Sequence, residues 1–525
     1  MIIIKTKVIV LFILLIGITL TFAQENKEAK ILLDTRQAKY KINKEIYGHF
    51  AEHLGNCIYG GFFVGENSSI PNTRGIRNDV IKALKEMQIP VLRWPGGCFA
   101  DTYHWKNGIG PQKDRPKMLN VYWGRVSEDN SFGTHEFMDL CDLIGAEPYI
   151  SANVGSGTVQ EMQEWVQYLT SNDEVPIVQL RKKNGRENPW KIKYWGIGNE
   201  SWGCGGNMRP EYYSDLYKVF NSYCFNYDKN ILYRVASGGS DADYNWTEVV
   251  MKNIPSSQMQ GLSLHYYTMP SWNEKGSATQ FNENQWYNQI DVALKIEDRI
   301  NKNSAIMDQY DADKLVGLIV DEWGSWYEVE KGTNPGFLYQ QNTLRDALIA
   351  GLSLNIFNNH CDRVKMANIA QIINVLQSMI LTKNDKIVLT PSYYVFKMYK
   401  VHQNAMMIPL TIFNTPRYTK ENMNMPLLNG SASIDSLGTI NITLCNLDAE
   451  NEQALQVELN QKDLKNISGE IITGDKINSN NDFGKPEEVT LKEFSGFTRK
   501  NNAIELKLPP KSVVLIKIKS EIKNN

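Results

Sequence analysis

The chain has 525 residues, of which 42% are hydrophobic, 10% aromatic and 22% charged. This composition is typical of a globular protein with a full core, and it excludes collagen-like, coiled-coil and disordered chains. With 56 basic and 58 acidic residues the formal net charge is −2, so the overall charge does not predict nucleic-acid binding. The length predicts about two or three domains.

Residues 1–23 have the pattern of a secretory signal peptide. Lys5 and Lys7 precede an apolar run from Val8 to Leu20, and Ala23 supplies a small residue for cleavage. The run is short for a membrane span, and no basic stop-transfer sequence follows it. We therefore expect export to the periplasm or the medium, with no membrane attachment after cleavage.

The seven cysteines are widely spread and include no C-x-x-C pair. Neither a disulfide framework nor a zinc ribbon is indicated. The alternative is that one or two pairs of these cysteines form disulfides. The cysteines are Cys57, Cys98, Cys141, Cys204, Cys224, Cys361 and Cys445.

Between residues 46 and 404, short apolar runs alternate with longer helical patterns, and each run ends in glycine, polar or aromatic residues. Eight such units favour an α/β fold of the (β/α)8 TIM-barrel type, with its active site at the C-terminal ends of the strands. A Rossmann-type sheet is the alternative, but no G-x-G-x-x-G opens a helix. The runs are Ile46–His53, Val91–Gly97, Pro148–Val154, Tyr194–Glu200, Tyr233–Gly238, Leu262–Tyr267, Leu318–Glu322 and Val364–Ile369.

From residue 405 to 525 the helical periodicity stops and period-two stretches appear, separated by Asn, Ser, Gly and Pro. This pattern predicts a C-terminal antiparallel β-sandwich of the jelly-roll type. Within residues 24–45, the strand-like stretch Lys30–Lys41 is expected to cross over and join that sandwich.

Two glutamates follow strands that lie opposite each other across the predicted barrel. Glu200 ends the fourth strand in Gly198-Asn-Glu-Ser-Trp202, and Glu322 ends the seventh. Glycoside hydrolysis needs such a pair, one acid to protonate the leaving oxygen and one carboxylate on the far side of the bond. The sequence therefore predicts a glycosidase with Glu200 and Glu322 as its catalytic residues.

Other interpretations of the same residues stay open. A β-xylosidase or an endoglucanase would use the same pair of acids, and a carbohydrate-binding protein without catalysis would lack one of them. His49 and His53 are four residues apart, but their order differs from the zinc-protease motif His-Glu-x-x-His. We expect no metal ion and no cofactor.

The ordered motifs of the barrel resemble the α-L-arabinofuranosidases of glycoside hydrolase family 51. The resemblance implies a retaining exo-glycosidase that releases terminal α-L-arabinofuranosyl groups from arabinan, arabinoxylan or their oligosaccharides, and it implies a homo-oligomer. The matching stretches are Ile46-Tyr-Gly-His-Phe-Ala-Glu-His-Leu-Gly55, Val91-Leu-Arg-Trp-Pro-Gly-Gly97, Gly198-Asn-Glu-Ser-Trp202, Leu264-His-Tyr-Tyr267, Asp321-Glu-Trp-Gly324 and Ala367-Asn-Ile-Ala-Gln371.

The resemblance also implies a role for each matching residue. Glu200 would be the general acid/base and Glu322 the nucleophile, with Arg93 and Tyr267 orienting Glu322 and balancing its charge. The remaining residues would bind the sugar: Asn199 at the 2-hydroxyl, Glu52 and Gln371 at other hydroxyls, and Trp123 and Trp326 as walls of the pocket. Cys98 stands where many members have Asn, and a thiol is a weaker hydrogen-bond donor than an amide.

Overall fold

The computed structural model describes residues 28–460 and 464–519. The predicted signal peptide, residues 1–23, lies outside these ranges. Within them, no helix combines the length and the apolar character needed to cross a membrane.

Eight parallel strands close into a barrel in chain order, each hydrogen-bonded to the next and the eighth to the first. All eight overlap the apolar runs of the sequence, so the predicted TIM barrel is confirmed. The strands are Gly48–Phe50, Val91–Trp94, Glu147–Ala152, Tyr194–Ile197, Tyr233–Ala236, Gly261–Thr268, Gly317–Ser325 and Val364–Ala370.

Helices connect the barrel strands, one or two after each. They are α1 (Asn78–Met87), α2 (Thr134–Ile144), α3 (Val159–Thr170), α4 (Pro176–Lys183), α5 (Pro210–Tyr223), α6 (Tyr244–Asn253), α7 (Glu283–Leu294), α8 (Ile296–Tyr310), α9 (Leu344–Asn359) and α10 (Pro391–Tyr399). Short two-stranded ladders lie in the loops at Asn72–Thr73 with Ile76–Arg77, Met118–Leu119 with Ser127–Glu128, and Ile380–Lys383 with Lys386–Leu389.

Large side chains fill the barrel near the N-terminal ends of its strands. They form a buried cluster of Val91, Tyr149, Tyr194, Val235, Ile319 and Met366, one from each of six strands. Because this layer is packed, the barrel is closed at that end. The polar residues at the C-terminal ends of the strands are therefore the ones that face an open cavity.

The C-terminal strands form two sheets that enclose a second apolar core. One sheet has the order Ile412–Phe413, Ala29–Leu33, Gln453–Leu459, Ala503–Leu508, Phe497–Lys500. The other has the order Met406–Ile408, Leu428–Ile434, Thr439–Asn446, Ser512–Lys519, Lys465–Ile472, Lys492–Glu493. A separate ladder pairs Arg417–Lys420 with Met423–Pro426. The predicted sandwich is thus confirmed.

The N-terminal strand joins the sandwich, but it is shorter than the sequence pattern indicates. Strand Ala29–Leu33 pairs in parallel with Gln453–Leu459 and ends where the Asp34 side chain accepts a hydrogen bond from the Arg36 backbone. This bond opens a 3-10 turn at Thr35–Gln37, so the strand does not extend to Lys41.

Helix α9 lies between the barrel and the sandwich. Its residues from Leu344 to Asn358 are all buried, as expected of a helix that is largely apolar on every side. Its polar side chains have partners in the sandwich: Asn355 Nδ2 donates to Asn429 Oδ1 at 2.9 Å, and Asn358 Nδ2 donates to Ser431 Oγ at 3.1 Å. The sandwich therefore covers a face of the barrel as part of one continuous interior.

A further buried hydrogen bond connects helix α7 of the barrel to the sandwich. Trp286 on α7 is fully buried, and its Nε1 donates to the Leu447 carbonyl at 3.0 Å. We expect Trp286→Phe to lower the free energy of unfolding by about 1–3 kcal/mol, because the buried carbonyl loses its donor. Urea unfolding followed by circular dichroism measures this loss.

The control is Trp272→Phe, because Trp272 is 64% exposed. Equal stability losses in the two variants would contradict a structural role for the Trp286 hydrogen bond.

Candidate active site

A cavity of about 590 Å³ opens at the C-terminal ends of the barrel strands. Eight of the ten residues predicted for the site line it: Glu52, Cys98, Trp123, Glu200, Tyr267, Glu322, Trp326 and Gln371. The other two, Arg93 and Asn199, are buried directly behind this lining, with 1% and 2% exposure. The structure therefore brings all ten predicted residues together.

The backbone around Glu200 is in an unusual conformation. Gly198 has φ +92°, and Glu200 itself has φ +40°, in the left-handed region. A residue other than glycine held there costs on the order of 1–3 kcal/mol, and such residues cluster at functional sites. The turn directs the Glu200 carboxylate into the cavity, where its side chain is 18% exposed.

The carboxylates of Glu200 and Glu322 face each other across the cavity. One oxygen of Glu200 and one of Glu322 lie within 4.8 Å of each other. Glu322 is held on both oxygens: Arg93 Nη1 donates to Oε1 at 2.8 Å, and the Tyr267 hydroxyl donates to Oε2 at 2.8 Å. Burial, together with the nearby Glu322 charge, raises the pKa of Tyr267, so this hydroxyl stays a donor.

His265, which the sequence analysis did not single out, lies between the two glutamates. Its Nδ1 is 2.9 Å from Glu200 Oε1 and 3.6 Å from Glu322 Oε2, and its Nε2 is 3.2 Å from Asp321 Oδ1. Burial alone would lower the pKa of His265, but the Glu322 charge and the contacts with Asp321 and Glu200 outweigh it and raise the pKa to about 10. The imidazole is therefore a cation at neutral pH.

Asp321 is a second residue that the sequence analysis missed. It is buried, accepts a hydrogen bond from the Tyr149 hydroxyl at 2.7 Å, and lies 3.6 Å from Arg93 Nε. Burial acts to raise the pKa of Asp321, yet the Arg93 and His265 charges hold it below the usual value. Asp321 thus balances both cations. Both missed residues, His265 and Asp321, lie inside the motifs Leu264–Tyr267 and Asp321–Gly324. Their position within these motifs was the sequence signal that could have marked them as site residues.

Glu52 accepts four hydrogen bonds at the wall of the cavity. Its Oε1 accepts from Trp123 Nε1 at 2.9 Å and from the Gly97 and Phe99 amides, and its Oε2 accepts from Gln371 Nε2 at 2.7 Å. Burial and the Glu322 charge raise the pKa of Glu52 to about 8, while the donors from Trp123 and Phe99 act in the opposite direction. This network fixes Trp123 and Gln371 against the same carboxyl group.

Cys98 is not the free thiol that the sequence analysis assumed. It forms a disulfide with Cys204, with Cα atoms 5.4 Å apart, which joins the loops after the second and fourth barrel strands. A sulfur in a disulfide has no proton to donate, so the expected weak thiol hydrogen bond to the sugar does not apply. Sequence could not reveal this pair, because 106 residues separate the two cysteines.

Aromatic rings form the mouth of the cavity. Trp326 contacts Tyr267 edge to face with ring centres 5.0 Å apart, and it contacts Trp272 in the same way at 5.3 Å. Lys275 Nζ lies 5.3 Å from the centre of the Trp326 ring. Rigid apolar rings beside charged groups suit a ligand that is apolar on one face and hydroxylated at its edges.

Two groups of side chains have the spacing of metal ligands among the residues that the structure describes. In the first, Glu200, His265 and Glu322, a carboxylate oxygen lies beside each His265 nitrogen, Glu200 Oε1 at 2.9 Å from Nδ1 and Asp321 Oδ1 at 3.2 Å from Nε2, so both nitrogens are already paired with carboxylates. In the second, Cys98, Glu200 and Cys204, the two sulfurs are bonded to each other. The arrangement at hand is therefore that of an acid–base site.

The chain matches two family models. Residues 83–286 match the α-L-arabinofuranosidase 1 domain, and residues 321–512 match the α-L-arabinofuranosidase C-terminal domain. The first match covers most of the barrel, and the second begins in its seventh strand and extends through the sandwich.

Several known proteins are similar over nearly the whole chain. An intracellular exo-α-L-arabinofuranosidase of Bacteroides ovatus is 54% identical, over 94% of this chain and 96% of its own. The GH51 arabinofuranosidase structure from Xanthomonas axonopodis pv. citri has a TM-score of 0.92 at 45% identity, covering 94% of this chain and 99% of its own. An arabinose complex of the Thermotoga maritima α-L-arabinofuranosidase has a TM-score of 0.83 at 29% identity, covering 94% and 100%.

The Bacteroides ovatus relative corrects one prediction. Export to the periplasm or the medium was expected from the N-terminal apolar run alone, and a relative with 54% identity is named as an intracellular enzyme. The prediction of export is therefore wrong. A hydrophobic run behind two lysines reports only the composition of that segment, not the compartment in which the enzyme works.

The predicted activity agrees with all of these relatives, and the protein is a glycosidase that acts on α-L-arabinofuranosides. Because the similarity extends over both the barrel and the sandwich, the chain belongs to the α-L-arabinofuranosidases of glycoside hydrolase family 51.

Proposed function

We propose that the protein is a retaining exo-glycosidase that removes terminal non-reducing α-L-arabinofuranosyl residues by double displacement. The spacing of the two carboxylates supports this mechanism, with an oxygen of Glu200 and an oxygen of Glu322 within 4.8 Å. Retaining enzymes hold their carboxyl groups about 5–5.5 Å apart, whereas inverting enzymes need about 6.5–9.5 Å to admit a water molecule.

In the first step, Glu200 donates its proton to the glycosidic oxygen while Glu322 attacks the anomeric carbon. The aglycone leaves as an alcohol, and a covalent arabinofuranosyl-Glu322 ester forms. In the second step, Glu200 removes a proton from water, and the resulting oxygen nucleophile displaces Glu322. Arabinose leaves with the configuration of the substrate, and both carboxyl groups return to their initial state.

The neighbouring side chains orient both carboxyl groups for these two roles. Arg93 and the Tyr267 hydroxyl hold Glu322 in one orientation for attack. The His265 cation contacts Glu200 on one side and Asp321 on the other, so we assign it the positioning of the acid/base. Preorganised charges of this kind stabilise the charge that develops in the transition state.

Binding of the sugar is assigned to the polar and aromatic lining of the cavity. Glu52 and Gln371 present a fixed pair of hydrogen-bonding groups, and Asn199 is oriented by Arg93 Nη2, which donates to its Oδ1 at 2.6 Å. Trp123 and Trp326 supply apolar walls, and the Cys98–Cys204 disulfide supplies another.

Short oligosaccharides are the substrates that we propose. The Bacteroides ovatus relative is named as intracellular and exo-acting, and an enzyme inside a cell meets fragments of arabinan or arabinoxylan rather than the polymers. We propose that the protein forms a homo-oligomer and has no nucleic-acid partner.

We also propose domain limits at 24–45, 46–404 and 405–525. Helix α10 ends at Tyr399 and the next strand begins at Met406, which supports a boundary near residue 405.

The first prediction concerns the sugar. We expect rapid release of nitrophenol from p-nitrophenyl α-L-arabinofuranoside, and slow or undetectable release from the β-xylopyranoside and the β-glucopyranoside. Initial rates measured side by side test this expectation. Faster release from either pyranoside would favour a β-xylosidase or an endoglucanase, and silence on all three would favour a binding protein.

The second prediction concerns the two glutamates. Glu322→Ala should abolish turnover, and azide should restore it with product of inverted configuration, because azide takes the place of the missing nucleophile. Glu200→Ala should lose about 10²–10⁴-fold on substrates with poor leaving groups, and much less on activated aryl substrates that need no protonation.

Rates with alkyl and aryl arabinofuranosides, together with the anomer of the azide product, measure these effects. Glu248→Gln on the exposed face of α6 is the matched control and should keep full activity. Normal hydrolysis of an aryl arabinofuranoside by Glu322→Ala, or of an alkyl arabinofuranoside by Glu200→Ala, would refute the assigned role of that residue.

The third prediction concerns His265 and pH. Its pKa in the folded protein is about 10, above the ordinary value of about 6.5, so its charge stabilises the fold fully below pH 6.5. That contribution falls by at most about 1.4 kcal/mol per pH unit as the pH rises toward 10. We therefore expect the stability lost in His265→Gln to be largest near pH 6 and to shrink at alkaline pH.

Urea unfolding of both proteins at pH 6, 8 and 9.5 tests this dependence. Between pH 8 and 9.5 His135→Gln is the control, because burial lowers the pKa of His135 to about 4 and this residue is neutral in both the folded and the unfolded protein above pH 7.5. A His265→Gln deficit that is constant across the range would show that no charged imidazole stabilises the fold.

A further inference from the structure

The seven cysteines differ in how accessible they are. Five are free and buried: Cys57, Cys141, Cys224, Cys361 and Cys445. Cys98 and Cys204 are only partly buried, and Cys98 lines the active-site cavity. A reductant of the size of a substrate can therefore reach this disulfide through the cavity.

Both sulfurs lie beside the carboxylate assigned as the acid/base. Cys204 Sγ is 3.4 Å from Glu200 Oε2, and Cys98 Sγ is 4.0 Å from the same oxygen. Taken together, the two sulfurs and the carboxylate oxygen all lie within 4.8 Å of one another. The fold thus holds both sulfurs of the disulfide next to one oxygen of Glu200, with the two cysteine Cα atoms 5.4 Å apart.

Reduction of this disulfide yields two thiols, which are potential metal ligands. A dithiol reductant transfers two electrons and two protons to the Cys98–Cys204 bond, which yields two thiols and the disulfide of the reductant. Intracellular thiol systems keep such pairs reduced, and the Bacteroides ovatus relative that is 54% identical is named as an intracellular enzyme. A divalent cation that then binds the two sulfurs displaces their two protons to solvent.

We propose that the reduced protein binds a thiophilic divalent cation, of which Zn²⁺ is the type case, between Cys98, Cys204 and Glu200. Zinc accepts two sulfurs at about 2.3 Å and a carboxylate oxygen at about 2.0–2.2 Å, with a fourth position open to water. In this state the Glu200 carboxylate is a metal ligand and donates no proton to the leaving oxygen. The bound metal is therefore an inhibitor, and the disulfide form is insensitive to it.

Zinc binding is tested first, without reference to activity. Protein reduced with a phosphine and protein kept oxidised are each titrated with Zn²⁺ in competition with a chromophoric chelator. We expect the reduced protein to bind one equivalent of Zn²⁺. The oxidised protein and the reduced Cys98→Ser and Cys204→Ser variants should not bind this equivalent. Reduced Cys224→Ser, altered at a buried cysteine that does not line the cavity, should still bind one equivalent.

Inhibition is tested second, with each protein normalised to its own metal-free rate on an aryl arabinofuranoside. One equivalent of Zn²⁺ should lower the rate of the reduced protein at least tenfold, a chelator should restore it, and the oxidised protein should be unaffected. The proposal is overturned if the oxidised protein or Cys204→Ser binds Zn²⁺ as well as the reduced protein does. It is also overturned if Zn²⁺ binds to the reduced, active protein without inhibiting it.

The inhibition step rests on the proposed role of Glu200, whereas the zinc titration does not. A protein that binds one zinc in the reduced state but hydrolyses none of the arabinofuranosides would overturn the proposed function and the inhibition, and it would leave the metal site standing. An active protein that binds no zinc after reduction would overturn only the metal site.

Discussion

The buried charge of Arg93 is the constraint on which the active site depends. Its guanidinium donates to Glu322 at 2.8 Å, to Asn199 at 2.6 Å and to the Ser151 hydroxyl at 3.1 Å, and its centre lies 4.6 Å from the Phe50 ring. A charge that is 1% exposed is stable only when it is paired and hydrogen-bonded, and loss of one partner costs several kcal/mol. Arg93 therefore requires residues from the first, third, fourth and seventh strands to meet at one point, and these residues include the proposed nucleophile.

His265 completes this balance. The centre of the site holds three carboxyl groups, Glu200, Asp321 and Glu322, close to two cations, Arg93 and His265. Asp321 contacts both cations, so in the proposed mechanism it maintains the charge balance while Glu200 and Glu322 change their charge. The barrel supplies these groups from strand ends that its packed interior holds in place.

The sequence predicted the barrel, the sandwich and ten site residues, because strand periodicity and ordered motifs are local signals. His265 and Asp321 could not be assigned in the same way, since their importance comes from contacts across the barrel with Glu200 and Arg93. The Cys98–Cys204 bond was missed for a related reason, as pairing of distant cysteines is a property of the fold. The compartment was predicted wrongly, because it depends on how the N-terminal segment is used and not on packing.

The parallel pairing of Ala29–Leu33 with Gln453–Leu459 has a consequence for synthesis of the chain. This strand leaves the ribosome early, yet both of its neighbours in the sheet lie more than 370 residues further along. At about 5–20 residues per second, the strand waits for roughly 20–80 s with its backbone hydrogen-bonding groups unpaired. The barrel can close during this interval, whereas the sandwich cannot. Within the sandwich of the nascent protein, the N-terminal strand is therefore made first and waits longest for a partner strand.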